Sequence, residues 1–191
     1  MPARPARPAR RRRGSFAIAA LIGLAALLGV APAAQATEAR WLDVELYYLD
    51  LLNCTRTGGW VKVDGTCKGG VGEYSDEREP LRRHVGISNN VARPYSKVMA
   101  DAGESSHYLD GGPLDRLERA GYDPGAWGES IGYWSGDPYE AVTRIHRNYQ
   151  SEKPYKGIHR RLLKKAAFKS VGIGVWRKDG YTYLVMDFYA P

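Results

Sequence analysis

Residues 170–189 read Ser-Val-Gly-Ile-Gly-Val-Trp-Arg-Lys-Asp-Gly-Tyr-Thr-Tyr-Leu-Val-Met-Asp-Phe-Tyr. Val171, Ile173 and Val175 alternate, which places them on one face of a strand. Asp179-Gly180 follows, a pair suited to a type I′ turn because both central residues need positive φ. A second strand then spans Tyr181 to Tyr189. Upstream, Ile158 to Ala167 reads as a short helix after breaks at Pro154 and Gly157. Asp137 N-caps the helix before it, with Pro138 at the first position, Glu140 at the third, and Val142, Ile145 and Tyr149 as the apolar stripe. Trp127 to Trp134 is a strand candidate whose glycines mark close backbone approach. Gly111-Gly112-Pro113 opens a short helix through Leu114, Leu117 and Ala120, closed by Gly121. Leu81 to Ala102 is helical in two pieces, because Pro94 disfavours helical backbone at Arg93. Leu42, Leu46 and Leu49 recur at helical spacing with Asn53 next on the stripe, which predicts an amphipathic helix from about Glu38 to Thr55. Asn53 then needs hydrogen-bond partners and should tie the helix end to a loop. Gly58-Gly59 ends this helix, and the stretch to Pro80 reads as a long loop. Helices first and a hairpin last make an α+β chain, with helices packed on a small, largely antiparallel sheet.

The first 36 residues carry a different pattern. Arg10 to Arg13 form a basic block, Phe16 to Val30 is apolar, and Ala34-Gln35-Ala36 is an A-x-A cleavage pattern. This is the layout of a cleaved signal peptide, residues 1–36, with Thr37 as the new N-terminus. The apolar run is short and Ala/Gly-rich for a span of ~20 residues, which disfavours a membrane anchor. The export route, general or twin-arginine, stays open, and the pattern suits a bacterial exporter. The whole chain has 28 basic and 21 acidic residues, net +7. Removing the six leader arginines leaves 22 against 21. The basic pI is therefore no argument for nucleic acid. His159-Arg160-Arg161 with Lys164-Lys165 reads as a solvated helix face. Residues 37–191 suit one domain of ordinary size, large enough for its own core. Cys54 and Cys67 both fall in it, and export permits a disulfide between them.

His107, Glu129, Glu152 and His159 stand out among Gly-rich and aromatic segments, because both residue types ligate divalent metal and both do acid–base work. Leu51-Leu52-Asn53 with Arg56, then His107, Gly121-Tyr122, Trp127-Gly128-Glu129-Ser130-Ile131, His159-Arg160, Val171-Gly172-Ile173-Gly174-Val175 and Asp187-Phe188 occur in that order. The ordered set resembles the CAP (SCP) superfamily of cysteine-rich secretory, venom-antigen and pathogenesis-related proteins, from about Val44 to Phe188. The resemblance implies an α-β-α sandwich with a central cleft. It also implies a tetrad of two His and two Glu that holds a divalent metal in several members. His107, Glu129 and His159 match three of its positions. Glu152 is the fourth candidate, and its variable spacing to His159 leaves a surface role open. Ser130 stands where the family usually has Asn.

Imidazole and carboxylate both suit zinc, and two His plus water leave open positions. Neutral imidazole is required, so metal affinity should fall below about pH 6.5. His84, in Arg82-Arg83-His84, and His146, flanked by Arg144 and Arg147, read as surface or edge residues. Gly128-Glu129-Ser130-Ile131-Gly132 also matches the G-x-S-x-G nucleophile elbow, with Asp137 and His159 downstream. The chain has too few alternating βα units for that fold. Tyr47, Tyr48, Tyr95, Tyr108, Tyr133, Trp134, Tyr149 and Tyr155 serve as packing or as walls of an apolar groove.

The leading expectation is thus a secreted, extracellular binding module. Its His/Glu cleft takes a divalent cation, zinc first, and an extracellular ligand such as a lipid, a peptide or a cell-envelope component. One alternative is a hydrolase drawing on Glu129, His107 and His159, with metal-bound water as nucleophile and Glu129 as base, or with Ser130 as nucleophile. Another is a lipid or sterol carrier.

Overall fold

The computed structural model describes residues 39–69, 77–152 and 157–191. The predicted leader lies outside them. The terminal hairpin forms as read: β5 (Ser170–Lys178) pairs antiparallel with β6 (Tyr181–Ala190). Asp179 and Gly180 have φ of 50° and 81°, the positive pair a type I′ turn needs. On the other side of β6 lies β4 (Ala126–Ser135), antiparallel and in register from Ala126↔Ala190 to Ser135↔Tyr181. The short β3 (Arg82–Arg83) joins β5 in parallel, giving the order β3-β5-β6-β4. β4 is therefore an edge strand.

The two sheet faces are built from different residues. Val171, Ile173, Val175, Leu184, Met186 and Phe188 face one core. Against it pack α1 (Leu42–Arg56), α4 (Pro138–Gln150) and α5 (Ile158–Lys164). Ile131, Tyr183 and Val185 face the opposite layer, which holds α2 (Arg93–Ala102), while Leu117 of α3 (Pro113–Arg119) packs with Tyr189. Gly174 allows α2 to approach, since a Cβ there would overlap the backbone of Ala92 and Arg93. The result is an α-β-α sandwich, the layering that the CAP resemblance implied. All described residues belong to one compact unit.

Three expectations need correction or completion. In α1 the buried face is Val44, Tyr48, Leu51, Leu52 and Thr55, whereas Leu46 of the predicted stripe is 42% exposed. Two buried charges disguise this face. Glu45 accepts from Arg93 Nε and Nη2 at 2.5 and 2.7 Å and from Arg83 Nη2 at 3.0 Å. Burial pushes its carboxyl upward, and the two guanidinium groups pull it back. Arg56 donates to the backbone carbonyls of Glu79, Leu163, Lys165 and Phe168 at 2.5–3.1 Å. Removing one side of such a buried pair costs about 3–5 kcal/mol.

Pro94 does not break the helix at Arg93, which is helical with φ −66° and ψ −48°. Instead a π-turn at Ser88–Ala92 precedes it. A widened turn gives the proline ring room past the carbonyl four residues back. The loop after α1 contains a small hairpin, β1 (Gly59–Val61) and β2 (Cys67–Gly69). Cys54–Cys67 is a disulfide with Cα atoms 5.8 Å apart and a separation of 13 residues. Closing a loop of that size contributes ~3 kcal/mol in the chain-entropy description. Asn53 ties α1 to Leu81 as expected, donating to its carbonyl at 3.1 Å and accepting from its amide at 2.8 Å.

Candidate functional site

His107 lies in the loop between α2 and α3, and Glu129 on β4. His107 Nδ1 and Glu129 Oε1 are 2.5 Å apart. The His107 side chain is 37% exposed, the Glu129 side chain 1%. The second carboxylate oxygen, Oε2, accepts from Arg116 Nη2. Arg116 is the hub of this half. Its guanidinium lies 3.3 Å over the Tyr95 ring and donates from Nη1 to the carbonyls of His107 at 3.0 Å and Gly111 at 2.7 Å. Tyr95 donates its hydroxyl to the Ser106 carbonyl and accepts from the Leu109 amide at 3.2 Å. Loop and carboxylate are thus fixed by one cation and one phenol.

Behind Glu129 sits Asp187, its register partner on β6. Asp187 is fully buried, and neither oxygen has a donor among the described residues. Burial, then the Glu129 charge, hold its carboxyl well above the usual range, against the pull of Arg116. A neutral Asp187 can donate to Glu129, which an ionised one cannot.

The second pair joins α4 to α5. Glu152 Oε1 meets His159 Nδ1 at 2.6 Å, and Oε2 accepts from the Arg160 amide at 3.1 Å in the first turn of α5. A carboxylate is favoured there by the unpaired amides of a helix start. Gly157 permits this approach, since a Cβ would overlap the Glu152 side chain. His159 stacks on Tyr149 with centroids 4.3 Å apart, and the Tyr149 hydroxyl donates to the Ile131 carbonyl of β4. Glu152 is therefore a partner of His159 rather than a solvated side chain.

The four residues thus form two imidazole–carboxylate pairs. Among the described residues, no group of three or more His, Cys, Asp or Glu converges on a metal position. Both carboxylates are engaged through both oxygens, which fits orienting groups better than direct ligands. The donors left open are the imidazole Nε2 atoms. An imidazole nitrogen with an anionic partner behind its ring is the kind of donor that suits a divalent ion.

The remaining sequence candidates separate. His146 is not at the surface: it is fully buried, and desolvation depresses its pKa to about 3. Its Nε2 is 2.7 Å from Thr55 Oγ1, and Thr55 donates to Gln150 Oε1 at 3.0 Å. The single Thr55 hydroxyl proton is thereby used, so Nε2 carries the hydrogen and Nδ1 accepts from Tyr48 at 3.4 Å. His84 is not on a helix face: it follows β3, and its Nδ1 accepts from the Ile87 amide at 3.2 Å. Ser130 sits mid-strand, fully buried, its hydroxyl without a partner among the described residues. It occupies no strand-to-helix elbow, and Asp137 is spent capping α4. Arg160 and Lys164 turn inward to the carbonyls of Gln150 and Arg56, so the basic stretch is only partly a solvated face. Tyr48, Tyr95 and Tyr149 are core, Tyr108 is exposed, and Tyr155 lies outside the described residues. Arg116 was not legible as a site residue, and Tyr95 and Asp187 were singled out only as a packing or groove aromatic and as part of the family pattern, because their partners come from other elements.

No family model and no curated protein matches the chain. Among solved structures, it is similar to an extracellular protein containing a SCP domain from Bacillus anthracis str. Ames, at 22% identity and TM-score 0.49, over 60% of this chain and 35% of that one. It is similar to a cysteine-rich secretory protein from Staphylococcus aureus subsp. aureus Mu50, at 16% identity and TM-score 0.49, over 78% and 39%. A third likeness is to NaASP2 solved with Zn2+, at 14% identity and TM-score 0.48, over 76% and 78%. The chain thus spans well under half the length of the first two.

Proposed function

We propose that this chain is an exported CAP-type binding module that holds one divalent cation, zinc by donor chemistry, through His107 and His159 and engages an extracellular ligand at the same cleft. The observation that carries the reading is the matched pairing of each Nδ1 with a carboxylate, at 2.5 and 2.6 Å. Such a bond fixes the Nδ1–H tautomer, turns the ring and makes Nε2 a better donor. A bound cation would supply Lewis-acid polarisation to a ligand's oxygen or nitrogen. Glu129 would orient His107 rather than act as a hydrolytic base, because Arg116 and His107 occupy its oxygens. That favours binding over turnover. Among the described residues no helix is long and apolar enough to cross a membrane.

Imidazole tautomers test this directly. Long-range proton–nitrogen spectra should show Nδ1–H for both rings without metal, and both Nε2 resonances should move on zinc addition. A ring protonated at Nε2, or Nε2 resonances unmoved at saturating zinc, contradicts the proposal.

A further inference from the structure

Away from the imidazole pairs, α1, the β1–β2 turn and α4 border a cavity of about 290 Å³. Its walls are fixed in advance. Gly65 in the turn has φ of 79°, and a side chain there would overlap the Tyr47 hydroxyl. The Cys54–Cys67 disulfide ties this hairpin to α1. Tyr47 and Tyr139 line the cavity as an aromatic corner, with centroids 5.2 Å apart and planes at 65°. The Tyr47 hydroxyl bonds Thr143 Oγ1 at 2.9 Å, and Thr143 donates to the Tyr139 carbonyl at 2.7 Å. Tyr47 is therefore the donor to Thr143, which holds its ring, and the Tyr139 ring packs edge-on against it.

The rim carries two carboxylates, Asp64 and Glu140, and two guanidinium groups, Arg144 and Arg147. The Glu140 and Arg147 side chains make no hydrogen bond or ion pair among the described residues, although opposite charges share the rim. Asp64 engages Thr66 through Oδ1, at 3.0 and 2.7 Å, which leaves Oδ2 open. Arg144 lies over the half-exposed ring of Trp134, 5.9 Å from its centroid, and so continues the aromatic surface past the cavity mouth.

These features select one ligand chemistry. The volume sits at the low end of small-molecule pockets, roughly 300–1,000 Å³, and admits about one saturated ring. Fixed aromatic faces suit the C–H face of such a ring. Acceptors and donors together on the rim suit hydroxyl groups, which both donate and accept. The rim charges cancel, so an ionised ligand gains nothing from the field and would leave one sign opposed. A lipid chain would leave these polar groups buried without partners. We propose that this cavity is a subsite for one pyranose unit of a neutral glycan.

Calorimetry and saturation-transfer NMR of the purified protein with cellotriose and with N,N′,N″-triacetylchitotriose test it. At least one should bind saturably, with transfer to ring protons. Tyr139→Ala and Arg147→Ala should each weaken that binding by at least about tenfold. Tyr139 is 43% exposed, so both variants should keep the wild-type melting temperature and zinc affinity. His107→Ala should bind the glycan as wild type does, which separates this site from the imidazole pairs. The proposal is overturned if neither trisaccharide binds up to about 10 mM, if both variants bind unchanged, or if an acidic trisaccharide binds more tightly than the neutral ones.

Discussion

Acidification from about pH 7 to about pH 5 should remove roughly 2 kcal/mol of folding stability through His146 alone. The folded chain holds this imidazole neutral, with a pKa of about 3 against an ordinary 6.5, because burial strips the charged form of water. Between those values the unfolded chain takes up a proton that the folded chain refuses. The stabilisation is therefore complete above pH 6.5 and is lost as pH falls toward 3, at ~1.4 kcal/mol per unit. Hydrogen bonding points the same way. Protonation at Nδ1 would turn the acceptor of the Tyr48 hydroxyl into a second donor, in a site with no counter-charge among its hydrogen-bond partners. The comparison variant is His146→Gln, whose amide can reach Thr55 but does not titrate. Urea unfolding of both proteins near pH 7, 6 and 5 gives the slope. With a denaturant slope of ~1–3 kcal/mol/M, the wild-type midpoint should fall about 1 M further than that of the variant over this range. The variant's absolute stability is immaterial to that difference. Equal pH slopes in the two proteins would refute the reasoning and mean that His146 titrates near its ordinary value in the fold.

Three further outcomes follow from buried groups on the sheet. Ser130→Ala removes a buried hydroxyl without a partner among the described residues, so melting should be unchanged or raised by up to ~1 kcal/mol of stability; abolition of any esterase activity by this change would instead revive the nucleophile reading. Gly174→Ala should destabilise by about 3 kcal/mol or more in chemical denaturation, because the new methyl meets backbone of Ala92 rather than a movable side chain; a loss under about 1 kcal/mol would mean that α2 can retreat from the sheet. Asp187 has a raised folded pKa, so its contribution is greatest below the ordinary ~3.9 and is lost as pH rises toward the folded value. Asp187→Asn, which can still donate to Glu129, should be at least as stable as wild type at about pH 7 and flatter in its pH profile above about pH 4; a large loss at neutral pH would show Asp187 to be ionised.

What the sequence made legible was local. The hairpin is written in the alternation of Val171, Ile173 and Val175 and in Asp179-Gly180, and all of it depends on neighbours along the chain. The same holds for the Asp137 cap and the stripe Val142, Ile145, Tyr149. The α1 face was misread because Glu45 and Arg56 are charged yet buried, and their partners lie 23 to 112 residues away. His146 was misread for the same reason: flanking arginines suggested solvent, while Thr55 and Tyr48 lie 91 and 98 residues away. The four His and Glu residues stood out by residue type and the family resemblance grouped them, but their pairing became visible only with β4, the loop around His107 and the α4–α5 junction in place. Arg116 looks like any basic residue of a short helix until Glu129 and Tyr95 are set against it.

The central claim is that His107 and His159 offer Nε2 to one divalent ion. Calorimetric zinc titration at about pH 7.5 and about pH 5.5, with the His107→Ala/His159→Ala double variant as control, tests it most directly. The account predicts stoichiometric binding at the higher pH, weaker binding at the lower, and none in the double variant. No binding, or binding that survives the double substitution, would contradict it and leave the two pairs as polar fastenings between elements of the fold.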